Sequence, residues 1–251
     1  MAAGSAVDQY LATAFLKNGE KISLRLGVAQ DRQYLEALLR QVSRKTTFYR
    51  FAEPKSRYSP SELDQLLLID RRKGFSIVAF PARNPQELIG IAQCYFLPPA
   101  GGKDQAEVAF LVHDHFQGVG VGSLLLDHLA DLARFLGLNT LKAEFLGGNR
   151  RMLRLFEKSG FMVEKLLDGG THRVICLISP TDQYLRARQE RRAYSRKQRL
   201  LQASAIPLRK IIGKLLSGHG AAVWRLVRAD SLARIFAKLT HWLRSIWRRA
   251  G

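Results

Sequence analysis

One carboxylate and one glycine-rich turn lie close together in the chain, and each has chemistry to offer. Glu107 opens an apolar run, Val108-Ala109-Phe110-Leu111-Val112, and a turn follows that reads Gln117-Gly118-Val119-Gly120-Val121-Gly122-Ser123. Glycine at three of five positions lets the backbone approach a ligand that a Cβ would hold off. The helix predicted to follow, marked by Leu124, Leu125, Leu126, Leu129 and Leu132, starts with unpaired N–H groups and the positive end of its dipole. Such a strand–turn–helix unit suits a phosphate or pyrophosphate. Two familiar phosphate loops do not match: the glycine spacing is not that of the dinucleotide fingerprint, and no Lys stands between Gly122 and Ser123 as a P-loop requires. A carboxylate set in an apolar run is expected to be desolvated, which raises its pKa toward the range of a general base. His113-Asp114-His115 reads as a polar exit from the strand or as a group able to supply a proton or orient a substrate. No third ligand stands at a suitable spacing, so no metal site is expected.

The pattern Gln-x-x-Gly-x-Gly at Gln117–Gly122 resembles the pyrophosphate signature of the GNAT acetyltransferase superfamily, and a second stretch strengthens the likeness. Asn149-Arg150-Arg151-Met152-Leu153-Arg154-Leu155-Phe156-Glu157-Lys158-Ser159-Gly160-Phe161 is similar to that family's Asn…Leu-Tyr-Glu-Lys-x-Gly-Phe helix. The resemblance covers roughly residues 20–180. It implies acetyl-CoA as acyl donor, with Gln117, Gly118, Val119, Gly120, Val121, Gly122 and Ser123 around the pyrophosphate. Asn149, Met152 and Phe156 would line the pantetheine and adenosine, and backbone N–H groups around Leu111 and Val112 would stabilise the oxyanion. Glu107, set in Ala106-Glu107-Val108-Ala109-Phe110-Leu111-Val112, would be the base, because a lysine amine of pKa near 10.4 must lose a proton before it attacks. Phe156 departs from the Tyr that many members use as acid for the leaving thiolate. A narrower likeness, to the GNAT domain of bacterial protein lysine acetyltransferases, rests on Ile22-Ser23-Leu24-Arg25, Thr47-Phe48-Tyr49-Arg50-Phe51, Ser59-Pro60-Ser61-Glu62-Leu63 and Ile69-Asp70. It implies a protein lysine as acceptor. A small-molecule amine, and a non-catalytic acyl-CoA sensor acting through a basic tail, are the alternatives.

The elements that must position these residues read as α/β. Tyr10 to Lys17 looks like a short arm, and Lys17-Asn18-Gly19-Glu20 is a hairpin-type turn before the alternating Ile22, Leu24 and Leu26. Asp31 caps a helix with Leu35, Leu38, Leu39 and Val42 at helical spacing, and Ser59-Pro60-Ser61-Glu62 starts another. Strands are predicted over 75–80 and 88–97, the second nearly continuous in apolar residues as in a central strand. Beyond the glycine turn and its helix come a strand over 140–146, a helix over 149–159 and paired strands around Asp168-Gly169-Gly170. The expectation is a GNAT-type mixed central sheet flanked by helices, followed by a basic helical C-terminal tail. Its parts are an arm over 1–19, the acetyltransferase domain over 20–180 and the tail over 181–251.

Charge separates these parts. The formal net charge is +19, yet residues 181–251 hold 17 Lys+Arg against three Asp+Glu, leaving only +5 for the rest. Tyr184 to Leu200 is predicted as an exposed Arg-rich helix. Residues 208–216 and 223–247 read as cationic amphipathic helices, with Trp224, Trp242 and Trp247 suited to a lipid–water interface. An anionic membrane surface is the partner expected for the tail, ahead of docking onto the body or self-association, and nucleic acid less so. Cys94 and Cys176 read as buried thiols in a reducing compartment. The N-terminus lacks the basic region of a signal peptide, and no uninterrupted apolar stretch reaches the roughly 18 residues of a membrane span. A cytoplasmic location, peripheral at the inner membrane face, is the expectation.

Overall fold

A computed structural model describes residues 10–52, 57–98, 104–194 and 197. All belong to the first of two units, Met1–Arg199; the second, Leu200–Gly251, lies outside the described residues, and with it the amphipathic segments 208–216 and 223–247. Among the described residues eight strands form one sheet. They are β1 (Leu11–Phe15), β2 (Lys21–Leu26), β3 (Gly74–Pro81), β4 (Gly90–Phe96), β5 (Gln105–Val112), β6 (Thr140–Leu146), β7 (Met162–Asp168) and β8 (Thr171–Leu177). Their spatial order is β1-β2-β3-β4-β5-β6-β8-β7. Every neighbouring pair is antiparallel except β5 with β6.

That parallel pair is the feature on which the site depends. Only Gln105–Thr140, Ala106–Leu141 and Glu107–Lys142 are in register, although both strands run on for several residues. Beyond Glu107 the two strands diverge and a wedge opens toward their carboxyl ends. Ligands of open α/β sheets bind outside the carboxyl ends of strands, where neighbouring connections part.

Helices cover the two faces unequally. One face packs under α4 (Val121–Phe135), whose Leu125, Leu126, Leu129, Ala130, Leu132 and Ala133 are buried, and under α5 (Arg150–Glu157) through Phe156. The other face, over β3 to β5, is covered by α1 (Arg32–Gln41) and α3 (Pro60–Leu67); Leu35, Leu38, Leu63 and Leu67 meet Val78, Phe80, Ile91 and Leu111. Ser59 and Glu62 form the capping box at the start of α3, with Pro60 at its first position. Cys94 and Cys176 are both buried and free, and burial pushes the Cys176 thiol up to about 12.

Two segments differ from their sequence reading. Residues 11–15 are not a loose arm: β1 pairs antiparallel with β2 along its length, so the hairpin turn at Lys17–Glu20 has a strand on both sides. The start of the basic segment is a helix, as read, and most of its residues are exposed, but one face of it is not free. A sixth helix, α6 (residues 182–194), is seated on the body. Tyr184 is fully buried and stacks on Phe161 with ring centroids 4.1 Å apart, and its arginines meet carboxylates of α4: Arg188 with Asp131 and Arg191 with Asp127.

Candidate active site

The glycine turn stands where it was expected, between β5 and α4 at the mouth of the wedge. Gly118 (φ 81°) and Gly120 (φ 107°) take the left-handed backbone conformations that side chains disfavour, and Gly120 is the N-cap of α4. Leu124 N–H is the first in the helix to bond back, to the Gly120 carbonyl at 3.1 Å, so the N–H groups of Val121, Gly122 and Ser123 form the open first turn. A Cβ on Gly122 would touch the Leu155 methyls at 3.7–3.8 Å, which brings α5 against the start of α4.

Gln117 braces the mouth rather than facing it freely. Its amide N–H donates to the Val112 carbonyl at 2.9 Å and to the Thr46 hydroxyl at 3.2 Å, and its carbonyl accepts from the Arg151 guanidinium. Thr46 lies on α2 (Arg44–Phe51), where Ser43 supplies the N-cap. This helix spans the wedge. At one lip Asp114 accepts from Ser43 N–H (2.7 Å), Ser43 Oγ (2.9 Å) and Thr46 Oγ1 (2.7 Å); at the other, Tyr49 Oη donates to the Gly148 carbonyl at 3.1 Å. Burial opposes ionisation of Asp114, but those donors outweigh it and hold its carboxyl below the usual range. Of the His113-Asp114-His115 group, then, the aspartate is a clasp for α2, while His113 is buried against Phe116 and His115 is exposed. Among the described residues no group of three potential ligands could hold a metal.

Glu107 is on β5 as predicted, but not buried: it is exposed, while its neighbours Ala106 and Val108 point into the core. Apolar neighbours one residue away in a strand belong to the opposite face, so an apolar run does not bury the residue that opens it. The ladders set Tyr95 of β4, Glu107 and Lys142 of β6 in one row, on the face covered by α1 to α3. Arg50 of α2 stands in the same group. It donates to Gln93 Oε1 and lies against Tyr95 and Glu107; burial lowers its pKa, and Tyr95 and Glu107 act against that shift. Burial likewise raises the Tyr95 phenol, opposed by Arg50. Sequence reading did not single out Arg50, Tyr95 and Lys142. Strand alternation places Tyr95 on a definite face of β4, but the register that sets it opposite Glu107 is a tertiary fact.

The two oxyanion candidates separate. His113 N–H bonds to the Ile89 carbonyl and Leu97 N–H to the Gln105 carbonyl, and an antiparallel ladder alternates. Residues 105, 107, 109, 111 and 113 therefore turn their N–H groups toward β4. Leu111 N–H is taken by that ladder, whereas the N–H groups of Phe110 and Val112 face the wedge. Asn149 Oδ1 caps α5 by accepting from Met152 N–H at 3.2 Å, and Met152 is half-buried at the same end. Phe156 is fully buried between Phe110 (6.3 Å) and Phe145 (6.4 Å, rings nearly parallel), an aromatic bridge between β5 and β6 with no proton to give.

A sheet splayed at one parallel pair, a glycine turn capping the long helix beside it and a carboxylate near the splay suit a transferase that takes a phosphate-bearing donor. The family model for GNAT acetyltransferases matches residues 36–161, half the chain, and the chain belongs to the GNAT acetyltransferase family. The acetyltransferase PA5475 of Pseudomonas aeruginosa is 28% identical over 157 residues, spanning 62% of this chain and 83% of that protein. The GNAT domain of PAT from S. lividans matches with a TM-score of 0.60 at 29% identity, over 66% of this chain and 97% of that one. The fold is shared with yncA of Salmonella typhimurium, solved with its cofactor acetyl-CoA, at 17% identity and a TM-score of 0.52, over 64% and 96% of the two chains. This chain is accordingly a GNAT N-acetyltransferase, the class that takes its acyl group from acetyl-CoA.

Proposed function

We propose that the acceptor is a protein lysine and that the acetyl group passes directly from acetyl-CoA to its amine, with Glu107 as general base. One observation carries this reading. Although α1 to α3 cover this sheet face over β3 to β5, Glu107 is itself exposed, and the face runs on over β6, β8 and β7, where Met162, Leu166, Ile175 and Leu177 are also exposed. A base with such an open approach on one side can be reached by a lysine that remains attached to a polypeptide; a fully enclosed cleft would favour a small amine. The likeness to the S. lividans PAT domain supports the same choice.

In this reading the pyrophosphate lies on the N–H groups from Gly118 to Ser123, and Gln117 holds the turn to β5. The thioester enters the wedge between β5 and β6, beside Asn149, Met152 and Phe156. The lysine ammonium loses its proton to Glu107, directly or through water, and its nitrogen attacks the thioester carbon. Negative charge gathers on the carbonyl oxygen and is met by Val112 N–H, with Phe110 N–H next along the strand. Collapse expels CoA thiolate, which with phenylalanine at 156 leaves without an acid from α5, as a thiol pKa near 8.5 allows, and the second proton on the nitrogen passes to solvent to give the neutral amide.

The test is acetyl transfer from labelled acetyl-CoA to a panel of lysine-bearing proteins and, separately, small amines, with wild type and Glu107→Gln. Protein lysines should be modified, and the variant should lose about 10²- to 10⁴-fold in kcat/KM while binding acetyl-CoA as before. Turnover confined to small amines would reject the protein acceptor, and an unimpaired variant would reject the base.

A further inference from the structure

The phosphate turn is flanked by two cations from elsewhere in the chain. Lys17, in the β1–β2 hairpin, donates its backbone N–H to the Val119 carbonyl at 2.9 Å, and its carbonyl accepts from the Tyr194 hydroxyl of α6. Its backbone is thereby pinned on both sides, and its stem lies along the turn: Lys17 Cγ is 3.8 Å from where a Cβ on Gly120 would stand. At the start of the same turn Arg151, from the first turn of α5, reaches the Gln117 carbonyl oxygen. Both side chains are exposed, and among the described residues neither forms an ion pair with a carboxylate.

This matters because of the cofactor's charge. CoA brings a pyrophosphate and a 3′-phosphate, whereas the turn itself offers only neutral N–H groups and the partial charge of a helix end. Backbone donors fix where phosphate oxygens sit; full neutralisation takes side-chain cations, whose hydrogen bonds to phosphate are the stronger kind. Two cations held beside the turn, with no carboxylate paired to either, are in position to supply it.

We propose that Lys17 and Arg151 are cofactor-binding residues that hold the phosphates of CoA, Arg151 at the Gln117 end of the glycine turn and Lys17 at Gly120. The β1–β2 hairpin is then part of the cofactor site and not merely the edge of the sheet. The proposal rests on acetyl-CoA as donor and is independent of which amine accepts the acetyl group.

Calorimetric titration of the full-length protein with acetyl-CoA and with acetyl-3′-dephospho-CoA, at low and high salt, tests it. Wild type should bind acetyl-CoA. Lys17→Met and Arg151→Gln should each weaken that binding about five- to tenfold at low salt, and the deficit should shrink at high salt, as screening of a charge contact requires. Lys17→Arg should retain most of the affinity, which a merely structural loss in Lys17→Met would not predict. A deficit seen with acetyl-CoA and absent with the dephospho donor assigns the contact to the 3′-phosphate; an equal deficit with both assigns it to the pyrophosphate. Variants that bind acetyl-CoA as wild type does, or whose deficit is the same at every salt concentration, overturn the proposal. Wild type that fails to bind acetyl-CoA overturns the donor assignment instead.

Discussion

Glu107 shows how a residue can be found in the sequence and its environment misread. Its position before an apolar run was legible, and so was the glycine turn ten residues on. The face it occupies was not, because strand geometry gives Ala106 and Val108 to the core and turns the residue between them outward. Its surroundings, Tyr95, Lys142 and Arg50, come from two strands and a helix, and no local pattern links them. The glycines, by contrast, were readable because backbone conformation is a local property. At Gly120, with φ 107°, alanine would carry a Cβ in a strained conformation at a cost of about 1–2 kcal/mol. Gly120→Ala is therefore expected to lower the melting temperature by several degrees and weaken acetyl-CoA binding, checked by thermal denaturation and by titration of the cofactor.

Among the elements, α2 and α6 were the hardest to read, for different reasons. The sequence Arg-Lys-Thr-Thr-Phe-Tyr-Arg-Phe has weak helix propensity, and it is the Ser43 cap together with the clasps to Asp114 and Gly148 that hold α2 in place. Removing one neutral clasp in Tyr49→Phe should cost about 0.5–1.5 kcal/mol, and it should raise the KM for the acceptor more than the Kd for acetyl-CoA, since α2 covers the face that bears Glu107. The arginines of α6 looked like a solvated run because their partners, Asp127 and Asp131, lie some sixty residues earlier on α4. An Arg-rich helix reads as exposed until the opposing carboxylates are known. Tyr184 anchors it: Tyr184→Ala should destabilise the protein by about 3–5 kcal/mol, as loss of a buried aromatic ring does, visible as a lower urea midpoint.

For the molecule as a whole, mixed topology and two helical layers could be inferred from the alternation of periodic segments, because each element's apolar face is written into its own residues. What no segment could report is where the sheet splits. Acid stability is likewise a property of the assembled body. His128 of α4, hydrogen-bonded to the Tyr10 hydroxyl, is driven by burial from 6.5 to about 4. As pH falls from about 6.5 toward 4 the unfolded chain takes up a proton that the folded chain refuses, so stability is lost across that window and is full above it. The melting temperature of wild type should fall more steeply from pH 7 to pH 4.5 than that of His128→Gln. The three-residue parallel seam between β5 and β6 has its own consequence for motion. It joins two antiparallel ribbons, β1 to β5 and β6 to β8, and the proposed cofactor site lies across the joint. Amide protons of β6, β8 and β7 should therefore exchange through a partial opening that leaves the first ribbon folded. Saturating acetyl-CoA should slow that exchange far more than exchange in β2 and β3, making the substrate a keystone of the fold it reacts in.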